Sequence, residues 1–281
     1  MRKGLTISLI IVFVLLLTVA IWLANLIWFK PLNIRHFFER AYIEFLWEDP
    51  EALTQTGVIK PFGFTAFESK LTNVSPKHTL RLAEVGRKNL DLLKRYDRSD
   101  LTENDRVSYD VLLWFLETGV KGEPFLFHDY LVTHISGPHI EVVQFLQSLP
   151  IQSEVDMENY IARINAINDK FGSVIDALEE RRKRGIVAPT SILKKTNEIC
   201  DGMYMNKADQ HVLYTSFADK LSAIEFLDSE TKNYYSEKCL KAVSENVIPS
   251  YKRLAKYLLQ LEQNSMEIAG VWQLPNGDEY Y

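Results

Sequence analysis

The sequence predicts an all-α fold, or one nearly so: a helical array preceded by one amino-terminal transmembrane helix. Apolar residues recur at helical spacing through most of the chain, few runs alternate as strands do, and one apolar run is long enough to cross a bilayer. With 281 residues, 47% hydrophobic and 25% charged, the chain is neither disordered, collagen-like nor a disulfide-stapled miniprotein. It contains no low-complexity linker and no repeat of fixed period.

The first element is the run from Leu5 to Phe29, 25 residues without a charge. At ~1.5 Å per residue it is about 37 Å long, enough to span a ~30 Å hydrocarbon core with some tilt. Residues 1–30 therefore read as a membrane anchor and residues 31–281 as a helical domain. Thr18-Val19-Ala20 loosely resembles a signal-peptide cleavage site, but cleavage there leaves Ile21-Trp22-Leu23 as a very apolar terminus, so an uncleaved anchor is the preferred reading. Trp22, Trp28 and Phe29 suit a headgroup belt. No cysteine lies nearby, which excludes a cysteine-linked lipid anchor. Lys30, Arg35 and Arg40 nearly balance Arg2, Lys3 and the terminal amine, so charge leaves the orientation open. A large domain after a short basic tail is usually exported, which puts the bulk of the chain on the extracytoplasmic side of the cell membrane in a single pass. Residues 31–281 hold 29 Lys and Arg against 37 Asp and Glu, a net charge of −8. That balance argues against nucleic acid as a partner and leaves the membrane, met through residues 5–29.

The next helix carries Ile34, Phe37, Phe38, Tyr42, Phe45 and Leu46 on one face and stops at Asp49-Pro50. Gly57 to Phe64 reads as loop. Ser75-Pro76 supplies a cap and a first-turn proline for a helix to about Tyr96. Thr102 with Asp105 forms an imperfect capping box ahead of Val107, Val111, Leu112, Phe115 and Leu116. The plainest helix runs from Ser153 to Gly185, with a stripe from Met157 through Tyr160, Ile164 and Phe171 to Leu178, and Gly185 as a left-handed terminator. A long segment from Ser229 through Leu261 follows, in which Pro249 forces a kink or a break. Gly270 to Gly277 is an apolar stub ending in a turn.

His128-Asp129, His134, His139 and Glu141 form the densest group of ligand-type residues. A helical zinc site needs two histidines on one face, as in His-Glu-x-x-His, and that motif does not occur. His134 and His139 straddle Ile-Ser-Gly-Pro, which reads as loop, so ordinary surface or capping histidines are the preferred reading. Arg181-Arg182-Lys183-Arg184 reads as a solvated helix end complementing the dipole, and Glu179 and Glu180 as a solvated charged face. Cys200 and Cys239 are either a disulfide or two buried thiols. Neither has a neighbouring histidine, and Gly-x-Ser-x-Gly and a phosphate-binding glycine loop are both missing. The sequence thus assigns no catalytic residue and no metal ligand, leaves substrate binding open, and calls for no cofactor in this chain.

Four segments together resemble a bacterial family known as domain of unknown function 885. They are Arg98 to Asp110, with its Asp105-Arg106 and Ser108-Tyr109-Asp110; Gln147 to Pro150 leading into a helix entry carrying Tyr160, Ala162 and Arg163; Asn246 to Tyr251 with Leu254; and Gly270 to Gly277 with Tyr280 and Tyr281. They stand in the family's order over residues 34–281. The resemblance implies an exported, membrane-attached helical protein related to zinc metallopeptidases. In the family the metal motif belongs to a carboxy-terminal half that follows the Leu-Pro-x-Gly segment, so the resemblance covers the amino-terminal half and carries no zinc ligand onto this chain. Zinc is expected only in that second half, which is either supplied as a separately encoded partner or lost through a frameshift. Without it Tyr280 and Tyr281 should lie unpaired on an exposed surface. The resulting expectation is a helical portion not catalytic by itself, the alternative being a membrane-tethered interaction or scaffold module.

Overall fold

The computed structural model describes residues 2–267 and 270–281, with side chains from residue 9 onward. Arg2, Lys3 and the Leu5 to Ser8 start of the apolar run therefore have side chains outside the described set. In chain order the helices are α1 (Arg2–Trp28), α2 (Ile34–Trp47), α3 (Pro50–Thr56), α4 (Pro76–Leu93), α5 (Glu103–Lys121), α6 (Pro138–Ser148), α7 (Glu154–Lys183), α8 (Thr190–Tyr204), α9 (Val212–Ser222), α10 (Ser229–Ala242), α11 (Ile248–Glu262) and α12 (Gly277–Tyr280). No strand occurs among the described residues, so the predicted all-α class holds.

The helix starts follow their caps. Asn33, Asp49, Thr102, Ser153 and Asp228 each accept a backbone N–H at the first turn of their helix. Asp49-Pro50 is more than the predicted stop: Asp49 caps α3 and Pro50 occupies its first turn, where a missing N–H costs nothing. The predicted 57–64 loop contains one short 3₁₀ turn, Lys60–Phe62, between left-handed Gly57 and Gly63. Pro249 neither breaks nor ends its segment. A π turn over Val243–Val247 joins α10 to α11, absorbing the ring and its absent N–H.

Two compact units are present, and the division falls within α4. The first comprises residues 1–48 and 81–124. Its core gathers Phe37 and Ala41 of α2, Leu90 and Leu93 of α4, Tyr96, and Tyr109 and Leu116 of α5. Leu9–Trp28 of α1 has a mean hydropathy of 2.8 and is buried nowhere by protein. Its last turn holds no basic residue, and Arg40 of α2 supplies one, donating to the carbonyls of Leu26 at 3.0 Å and Phe29 at 2.7 Å. On α5 the predicted stripe divides. Tyr109 and Leu116 face the core, whereas Val107, Val111, Trp114 and Phe115 face outward, each more than half exposed.

The second unit comprises residues 49–80 and 125–281, and α7 runs through its core. Ile164, Ile167, Phe171 and Val174 are wholly excluded from solvent, packed with residues of α6, α8, α9, α10 and α11. The helix ends as predicted: Gly185 is left-handed at φ 77°, and the Ile186 N–H returns to the Arg181 carbonyl at 2.9 Å. Leu274 to Gly277 closes a tight turn in which a Cβ on Gly277 would lie 2.0 Å from the Val271 carbonyl oxygen, so only glycine fits.

Candidate functional site

A cleft of about 380 Å³ opens in the second unit, lined by Thr54 and Gln55 of α3, Lys60 and Glu68 of the following loop, the Ser148-Leu149-Pro150 corner, and Asp156, Asn159, Tyr160 and Arg163 of α7. Local chemistry fixes each wall. Lys220 donates to the carbonyls of Gln147 at 2.6 Å and Leu149 at 2.7 Å, holding the corner after α6. Ser153 caps α7 and donates to Asp156 at 2.8 Å, which occupies that carboxylate. Tyr160 is buried and donates to the Leu213 carbonyl at 2.8 Å, so its hydroxyl proton is already committed.

Three buried cations lie on one face of α7. Arg163, Lys170 and Arg181 are separated by 7 and 11 residues, close to two and three full turns. Lys170 meets Glu51 at 2.6 Å and the Thr72 carbonyl at 3.2 Å. Arg181 meets Asp129 at 2.5 Å. Arg163 alone has no carboxylate: it donates to the Lys70 carbonyl at 3.2 Å and the Thr54 hydroxyl at 2.5 Å and stacks over Phe145. The nearest acids are committed elsewhere, Glu68 to Lys60 at 2.9 Å and Glu51 to Lys170. Burial without a counter-ion pulls the Arg163 pKa down to about 10, only partly offset by the fields of Glu68 and Glu51.

The sequence reading missed this row because it counted only the apolar members of the α7 stripe. The signal was available: cations at helical period inside an apolar face cannot all reach water. The basic run at 181–184 is corrected accordingly. Arg181 is buried and ties the Asp129 segment to α7, while Arg182 and Arg184 are the half-exposed ones, paired with Glu179 and Glu180 at 2.7 Å. Glu179 is not simply solvated either: hydrogen bonds from Arg182 and Tyr257 hold its pKa down to about 2.

The histidine group does not assemble. Among the described residues no group of three or more His, Cys, Asp or Glu is placed to hold a metal. His128 engages the Pro275 carbonyl at 2.8 Å, and Glu141 accepts from the Gly137 N–H at the start of α6. His139 contradicts the surface reading. Gly137-Pro138 starts α6, which carries His139 into the interior at 1% exposure, and desolvation lowers its pKa to about 4. Cys200 and Cys239 are both free, buried thiols, each raised to about 12 by desolvation and so held unreactive. Tyr280 and Tyr281 are both exposed as expected, but Tyr280 is not unpaired: its ring packs on Phe125 at 5.4 Å and His128 at 5.1 Å.

Two of the segments that carried the family resemblance, Gln147–Pro150 and the α7 entry with Tyr160 and Arg163, meet at the cleft. A solved structure described as "the putative lipoprotein from Colwellia psychrerythraea" superposes with a TM-score of 0.77 at 18% identity, covering 87% of this chain and 45% of that one. The likeness shows the fold, and the chain spans less than half of that neighbour's length. No curated protein matches the chain. A family model for bacterial proteins of unknown function (DUF885) matches residues 50–281, beginning at α3 rather than at residue 34. The chain therefore belongs to that bacterial family, DUF885.

Proposed function

We propose that this chain is the membrane-anchored, extracytoplasmic helical portion of a metallopeptidase-related protein, receiving ligand in the second-unit cleft while metal chemistry is supplied by further polypeptide. The observation that carries the reading is the coverage: one fold spans 87% of this chain and only 45% of the longer protein described as "the putative lipoprotein from Colwellia psychrerythraea". In that setting α1, long and apolar enough to cross a membrane, would attach the chain by a protein helix. The cleft offers a buried guanidinium, amides and an apolar edge, which bind and orient. Zinc held by residues of the second half would supply the activated water.

The test is to purify the full chain in lipid nanodiscs with and without the polypeptide encoded immediately downstream. Stable association, with one zinc per complex by elemental analysis and none retained by the chain alone, is the expected result. Failure to associate, or stoichiometric zinc in the chain alone, would reject the assignment.

The second reading, a membrane-tethered interaction module, is favoured by the outward stripe of Val107, Val111, Trp114 and Phe115 on α5. It predicts self-association of the nanodisc-embedded chain that Trp114→Glu abolishes, measured by cross-linking.

A further inference from the structure

The row of cations on α7 contains its own control. Lys170 and Arg181 each have a carboxylate within 2.6 Å, and Arg163, 3% exposed on the same helix face, has none. A buried charge without a partner is strongly unfavourable, and a native fold keeps one where something else compensates it. Arg163 uses Nε and one terminal nitrogen on neutral oxygens, and its Nη1 has no protein acceptor among the described residues. It also stands at the wall of the 380 Å³ cleft, whereas Lys170 does not. Two further groups of the cleft, the Gln55 and Asn159 side-chain amides, make no hydrogen bond within the described residues. Leu149 and Pro150 give the same cleft an apolar edge.

We propose that the cleft binds a ligand bearing a carboxylate next to peptide-type amides, with Arg163 receiving the carboxylate and Asn159 and Gln55 the amides. A guanidinium matches a carboxylate by geometry as well as by charge, and an anion arriving there completes what Glu51 and Asp129 do for the other two cations. Glu68 and Asp156 do not fill the role, since Lys60 holds the first and Ser153 with the Gln152 N–H holds the second. The inference rests on the reading that the cleft receives ligand. It is independent of the metal half.

The experiment is isothermal titration of the full chain in nanodiscs with four probes: N-acetyl-trialanine as free acid, its carboxamide, N-acetyl-Ala-Glu-Ala carboxamide, and inorganic phosphate. The free acid, the glutamyl peptide or both should bind, with the plain carboxamide weaker by about tenfold or more. Which of the two binds tells a terminal carboxylate from a side-chain one. Arg163→Gln should erase the preference for acid over amide, and Arg163→Lys should restore part of it. Because Arg163 also tethers α3, Asn159→Ala is the companion variant: it should weaken the acid and its amide alike, leaving their ratio unchanged. Equal binding of acid and carboxamide overturns the proposal, as does no binding by any probe. Phosphate binding as tightly as the acid would mean a plain anion hole and overturn it too. Silent probes alongside stable association that brings one zinc per complex would remove this inference and leave the metal-half assignment of the proposed function standing.

Discussion

Helices α5 and α7 carry similar apolar stripes and meet different fates. In α7 the stripe is enclosed on every side within the second unit, deeply enough to bury three cations with it. In α5 the apolar residues divide, and Val107, Val111, Trp114 and Phe115 stay on the surface of the first unit. Periodicity makes the helix in both cases, because side chains at three and four residues' spacing share a face. What covers that face is decided by the number of neighbours: α7 packs among α6 and α8 to α11, while among the described residues α5 shares its core with α2, α4 and the short segment carrying Tyr96 and Leu101.

The contrast is most easily broken by truncation. Phe171→Ala should cost about 3–5 kcal/mol, since a wholly buried ring leaves a cavity, whereas Phe115→Ala should stay within about 0.5 kcal/mol. Urea unfolding of the full chain in detergent micelles, followed by near-ultraviolet circular dichroism, reads both; comparable losses would deny the difference in enclosure.

Next in size is the cation row. Glu51→Ala strands Lys170 and should destabilise the second unit by about 3–5 kcal/mol, and adding Lys170→Met should recover most of that loss. A double variant no better than the single would show that the pair holds α3 by packing rather than by charge.

Acid sharpens the contrast again, because the second unit buries two neutral histidines. His139 and His211 are both lowered to about 4 by desolvation, against about 6.5 in the unfolded chain. Their folded pKa values are depressed, so the stability they confer is full above pH ~6.5 and is lost as pH falls toward ~4, by up to about 3 kcal/mol for each. His139→Leu should shallow that acid limb by about half, and an unchanged slope would place its cause in other groups.

The smallest effect should ignore the contrast. Ser153→Ala and Thr102→Ala each remove one first-turn cap, and each should cost about 1 kcal/mol despite the difference in enclosure. A cap is a local bond at the end of a helix, so unequal losses would mean that enclosure reaches the helix ends.

Much of the fold is legible in sequence for this reason: caps, first-turn prolines and a left-handed glycine act within a few residues. Ser153, Thr102, Pro76 and Gly185 all behave as their neighbours dictate. Long-range facts are not legible that way. Nothing local says that Glu51 lies against Lys170, 119 residues away, or that Arg163 lacks such a partner. The same limit explains His139, whose Gly137-Pro138 prelude reads as loop and yet opens a buried helix. The cleft depends on segments drawn from residues 54–68 and 148–163, so only its α7 wall could have been anticipated, from Arg163 as one of three cations at helical period in an apolar stripe.

The most direct measurement is hydrogen exchange, read by mass spectrometry, on the full chain in nanodiscs without ligand and with saturating N-acetyl-trialanine or N-acetyl-Ala-Glu-Ala carboxamide, whichever binds more tightly. A ligand held at Arg163 should slow exchange in residues 54–70 and 148–164 and leave α5 unchanged. Protection absent from the cleft segments, or appearing on α5 instead, would contradict a binding site in the second unit.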